Sequence, residues 1–207
     1  MSIKELQKNL LSSVGEKLAV FGFGKKAKQQ SFYRTIEGGW GAVHLSFIRH
    51  AEDFDVTVSV SIRFNEVEDL VNSKNNLLTK KEKEGTSTLG VELGNLSIGE
   101  QKRWSVPSQE KIPSVADSIL EAFEKFGNPY LMKYSAMDSA YELLSSDEKH
   151  VWKHCPFHAT RAKKAVAIAK LLGHSDIQDQ ISTRRKFLEE RKDFGLSDFV
   201  NFTNSLS

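Results

Sequence analysis

The chain has 207 residues, 29 Lys and Arg against 27 Asp and Glu, a formal net charge of +2 and 39% apolar residues. That length and apolar share supply a core for one large or two small domains, and the near-neutral charge excludes a uniformly basic nucleic-acid coat protein and an acidic tail. The lone cysteine, Cys155, forms no internal disulfide, so a reducing compartment, the cytoplasm, is expected.

In chain order, Ile3, Leu6, Leu10, Val14, Leu18 and Phe21 recur at three-to-four spacing, which predicts an amphipathic helix over residues 2–21 closed by Gly22. Lys4, Glu5 and Lys8 interrupt the apolar run an export signal needs. No stretch approaches the roughly 20 apolar residues that cross a bilayer, so no membrane partner is expected. A basic turn, Gly24-Lys25-Lys26-Ala27-Lys28, comes next.

The period then changes to two. Residues 32–36, then Val43, Leu45 and Phe47, then Val56, Val58, Val60, Ile62 and Phe64 predict three strands. In the third, Asp55, Thr57, Ser59, Ser61 and Arg63 are expected to face water. The connections Glu37-Gly38-Gly39 and Ala51-Glu52-Asp53 are shorter than the roughly dozen residues of a parallel crossover, so the strands pair as antiparallel hairpins. Asn65 opens a short helix with Val67, Leu70 and Val71 inward, residues 74–85 read as an exposed loop, and residues 86–93 and 101–106 as two more strands.

From Pro113 the spacing is helical. Val115, Ile119, Ala122, Phe123 and Phe126 share a face until Gly127-Asn128-Pro129 stops the helix. Tyr130 to Leu144 forms the next helix, Ala159 to Leu172 an alanine-rich one, and Ser175-Asp176 caps another through about Lys192. A short helix from Asp198 closes the chain. The fold class is therefore α+β: an antiparallel hairpin-connected sheet with an N-terminal helix, then an all-helical C-terminal half. The division falls at residues 1–108 and 109–207, and packing of the helical region on the sheet as one unit is left open.

His150, His154 and His158 lie four apart with Cys155 among them, residue types that ligate zinc. Pro156 interrupts any helix that would align all three, and no glutamate follows His150 as in a zinc-protease motif, so the competing reading is histidines facing solvent at a helix junction. No Gly-x-Ser-x-Gly elbow or phosphate cradle occurs, and Gly38-Gly39-Trp40-Gly41 reads as a turn. The carboxylates Glu52, Asp53 and Asp55, and Glu66, Glu68 and Asp69, sit at a turn and a helix start, where they are favoured for local reasons.

Between Glu148 and Lys192 stand eleven Lys and Arg against five Asp and Glu. Arg161, Lys163, Lys164, Arg184 and Arg185 are the candidate anion or nucleic-acid ligands if two helices align them on one face. The competing reading is solvated outward faces paired with Glu189 and Glu190.

The opening helix, Gly22-Phe23-Gly24-Lys25-Lys26 and Ser31-Phe32-Tyr33-Arg34 together resemble a family of uncharacterised bacterial α+β domains over the first third of the chain. The resemblance implies an α+β fold of cytoplasmic bacterial type and no catalytic residue. Read from the residues, Phe23 pins the helix end to the sheet, and Lys25, Lys26, Lys28 and Arg34 are an alternative anion-binding rim.

The expected function is non-enzymatic macromolecular binding, with another protein as partner and no cofactor. A cleft lined by Trp40, His44 and Arg63, on the face opposite the third strand's valines, is the expected surface. The alternatives are nucleic-acid association through the basic helices and a metal-dependent enzyme built on the three histidines.

Overall fold

The computed structural model describes residues 2–206. Ser2 opens α1 (Ile3–Leu18): its hydroxyl accepts from the Glu5 amide while the Glu5 carboxylate accepts from the Ser2 amide, which satisfies two orphan donors of the first turn. One 3₁₀ turn follows, and Gly22 ends it at φ 83°, a left-handed conformation glycine adopts without a Cβ clash.

Strands β1 (Ser31–Ile36), β2 (Gly39–Arg49) and β3 (Phe54–Phe64) succeed one another, and Ile36 faces Gly39 across the first hairpin. The second connection is closed by the His50 amide donating to the Asp53 carbonyl. Then come α2 (Asn65–Val71), α3 (Lys80–Glu84), β4 (Leu89–Glu92), α4 (Leu93–Ser97) and β5 (Trp104–Val106). The antiparallel sheet runs β1-β2-β3-β4, and β5 pairs with the start of β3, Phe54 opposite Val106. The helical remainder is α5 (Ile112–Ala122), α6 (Asn128–Tyr134), α7 (Met137–Ser145), α8 (His158–Leu171), α9 (Ile177–Glu190) and α10 (Leu196–Asn204). The α+β class follows from this order. No helix among the described residues is long and apolar enough to cross a membrane.

The chain forms two units, each made of two segments. Residues 1–62 and 90–135 make the first. The reason is that α5 buries Ile112, Val115 and Ile119 and packs against α1 and β5, so the first helices after the sheet belong with it. In β3, Val56, Val58, Val60 and Ile62 are fully buried, as their period requires. The opposite face is not simply wet: Thr57 is 6% exposed, and Arg63, just beyond this unit, is 3% exposed.

Gly127-Asn128-Pro129 does not stop a helix either. A π turn over Phe123–Gly127 carries α5 into α6, and Pro129 sits in the first turn of α6, where its missing N–H is tolerated. Gly127 fits there by close approach. A Cβ on it would lie 2.8 Å from Phe123, 3.0 Å from Leu93 and 3.1 Å from Val60.

Residues 63–89 and 136–207 make the second unit, and α8 is its hub. Arg161 to Ala169 are all buried, and α2, α7, α9 and α10 pack around them. Alanines let those helices approach closely. α3 lies where a loop was expected; it buries no residue and carries no apolar period, but Thr79 and Glu82 form a reciprocal cap. Arg63 fastens this segment by donating to the Lys83 and Thr86 carbonyls, each at 2.8 Å, and to Asn65 and Asp69. Lys164 from α8 donates to the Ser87 carbonyl at 2.6 Å and lies 3.6 Å from Glu68 of α2, itself 1% exposed.

Two stability measurements check this packing. Gly127→Ala forces overpacking and is expected to lose about 1–3 kcal/mol in urea unfolding. Glu68→Leu strands the Lys164 charge and is expected to cost about 3–5 kcal/mol, most of it recovered when Lys164→Met is added.

Candidate functional site

Within the second unit, α7, α8 and α9 enclose a cleft of about 200 Å³. Helical spacing builds it. His158, Arg161 and Ala162 fall at i, i+3 and i+4 on α8, and Gln180, Arg184 and Phe187 at i, i+4 and i+7 on α9, so each set shares one face. Arg161 and Ala162 are buried and form the floor, while Ser145 at the end of α7 joins the half-buried walls. Asp147, Asp176, Asp179 and Thr183 are exposed and form the rim.

Polar accounting distinguishes this cleft from ordinary surface. Among the described residues six buried side-chain polar atoms lack a hydrogen-bond partner, and four of them line it: Ser145 Oγ, His158 Nδ1, Gln180 Oε1 and Arg184 Nε. Each such atom costs about 1–3 kcal/mol when left unsatisfied, so four of them on one concave site set it apart from the rest of the described residues. Charge is arranged as well. The Arg161 guanidinium lies 3.7 Å from Asp147. Burial pulls the Arg184 pKa below its ordinary value; Tyr141 and Asp147 oppose that shift and the neighbouring Arg161 charge adds to it. Gln180 donates to Asp176 at 2.9 Å, and Phe187 meets the His158 ring edge-on while the Arg191 guanidinium lies 3.8 Å from its ring centre.

The sequence candidates fall elsewhere or only partly here. Trp40 and His44 lie half-buried on β2, with Trp40 edge-on to Tyr33 at 5.0 Å and His44 2.7 Å from the Ser31 hydroxyl. Burial lowers the His44 pKa. Arg63 belongs to the second unit, is 3% exposed, and its guanidinium is occupied by the bonds described above. Of the five basic candidates, Arg161 and Arg184 meet in the cleft. Lys163 pairs with Asp198 and Lys164 with Glu68, both lysines buried, and Arg185 is exposed and bonded to Glu189. These five do not make one exposed basic face, because Arg161, Lys163 and Lys164 lie in the buried stretch 161–169 of α8.

The histidines separate too. His150 lies 3.0 Å from Glu148, its ring is 6.3 Å from that of His154, and His158 stands in the cleft. Among the described residues no group of three or more His, Cys, Asp or Glu could hold a metal ion. Pro156 resets the chain before α8, so four-residue spacing is not helical spacing here. Cys155 is buried, and that burial pushes its thiol pKa up, which keeps it protonated. Sequence reasoning missed Ser145, Gln180 and Phe187; the available signal was the polar pair Gln180 and Arg184 on the inner face of a helix.

One titration tests local burial. Desolvation, with the charges of His150 and Lys153, lowers His154 from 6.5 to about 4. The unfolded chain therefore takes up this proton first as pH falls, so the contribution is complete above 6.5 and is lost progressively toward about 4. Urea midpoints are expected to fall across that window, with a smaller slope in His154→Asn. No family model, no curated protein and no solved structure matches this chain, and the geometry of the cleft is the ground for any function assigned to it.

Proposed function

We propose that the chain is a non-enzymatic binding protein that engages another protein through the cleft of its second unit. The observation that carries this reading is the convergence of four unpartnered polar atoms on one concave site. A partner that supplies the missing donors and acceptors relieves their desolvation, and that gain exists only in the complex.

Exposed aromatics on the same unit support a macromolecular partner. Phe157 directly precedes His158 and is 58% exposed, Phe194 is 85% exposed, and their rings meet edge-on at 6.3 Å. Exposed aromatics of this kind are the material of interface anchors. Binding is favoured over nucleophilic chemistry because the one thiol is buried and protonated. Nucleic-acid association draws less support, since Arg185 and Lys186 are each paired four residues on, with Glu189 and Glu190. The lone thiol and the likeness of residues 22–34 to uncharacterised bacterial domains support a reducing, cytoplasmic bacterial setting.

The test is affinity purification at physiological salt, with mass spectrometry of what is retained. The unaltered protein is expected to retain one reproducible partner, and the triple variant Phe157→Ser, Phe194→Ser, Thr183→Arg, which changes only exposed positions, to lose it. Retention by both proteins alike, or recovery of the protein alone, overturns the proposal.

A further inference from the structure

We infer that the cleft takes a carboxylate accompanied a few ångströms away by a positively charged nitrogen, the chemistry of a polypeptide chain end whose last residue is lysine or arginine. This rests on the cleft being the binding site and follows from the order of its charges from floor to rim.

At the inner end stand two guanidinium groups. Arg161 is 4% exposed, and its carboxylate neighbour Asp147, at 3.7 Å, is beyond hydrogen-bond distance and is itself 61% exposed. The Arg184 Nε hydrogen has no acceptor, and the Ser145 hydroxyl is also unbonded. A carboxylate accepts from a guanidinium fork and from a hydroxyl at once. At the outer end the sign reverses. Asp176 and Asp179 stand one helical turn apart at the start of α9, and Gln180 Oε1 is a buried acceptor without a donor. Those groups call for N–H donors that carry positive charge.

The reversal discriminates. A phosphate dianion would have to pass Asp147, Asp176 and Asp179, and a purely cationic ligand would meet Arg161 on the floor and Arg184 on the half-buried wall. Ala162 on the floor and Phe187 on the wall offer apolar surface for an aliphatic stem. The volume of about 200 Å³ suits one residue rather than a folded surface. Free lysine or arginine carries the same pair of charges, and the experiment separates the two sources.

The experiment is calorimetric titration of the full chain with a short peptide ending in lysine, its C-terminal amide, its norleucine-ended counterpart, free L-lysine and inorganic phosphate. The lysine-ended acid is expected to bind, the amide and the norleucine form each at least about tenfold weaker, and phosphate not at all. Asp179→Asn, at an exposed position, is expected to weaken the lysine-ended peptide and leave the norleucine form unchanged. Weaker binding of free L-lysine than of the peptide assigns the chain end as the source; equal binding assigns the amino acid. Equal binding of acid and amide, tighter binding of phosphate, or a neutral Asp179→Asn overturns the inference. If no probe binds while the triple variant still loses its partner, the charge assignment fails and the cleft stands as the docking site. If the variant also keeps its partner, the cleft itself is not the site.

Discussion

Lys164 projects from the middle of α8, within its buried stretch 161–169, and finds there the Ser87 carbonyl and the Glu68 carboxylate. A charge taken that far from water is tolerated only where the surrounding groups neutralise and bond it. Both partners come from the short segment 63–89, whereas the lysine comes from the C-terminal segment, so one charged contact fixes how the two pieces of the second unit meet. Asn72 extends the arrangement by donating to Glu68, and Arg63 secures the same segment through the Lys83 and Thr86 carbonyls.

The same helix supplies the cleft with its floor. Arg161 lies one turn before Lys164, and Lys163 between them turns to Asp198 of α10. Three neighbouring cations on one buried helix thus go to three different sides, and only Arg161 faces the concave site. Because α8 is clamped by four other helices, that guanidinium is presented on a rigid support, which is what a selective recess requires. The alanines make the helix easily enclosed, and its cationic side chains carry its ion pairs.

Much of the first unit was legible in the residues. Strict alternation from Val56 to Phe64 announces a strand, and connections of three residues oblige the strands to be hairpins. Legibility ended where tertiary packing outweighs local preference. Period two cannot say whether the polar face of β3 is wet, and Thr57 and Arg63 are covered. A proline reads as a stop, yet a π turn carries the helix past Pro129. The two-segment units were hidden because segment 63–89 has no composition to mark it, and its place is decided by contacts with residues far along the chain. Arg161 and Arg184 were visible as basic residues, but their sharing one recess, with Lys163 and Lys164 buried, is a fact of three dimensions.

The interleaving of segments also imposes an order on assembly. As the chain leaves the ribosome, residues 1–62 gain their complement by residue 135, while 63–89 remain without theirs until α8 has been made. During that interval Glu68, Val67 and Val71 are held out in water as a looped excursion from an otherwise completed neighbour. A five-residue helix such as α3, which buries no side chain, does not hold itself in water, so this segment gains its order only when the late-arriving helix supplies the berth's other wall.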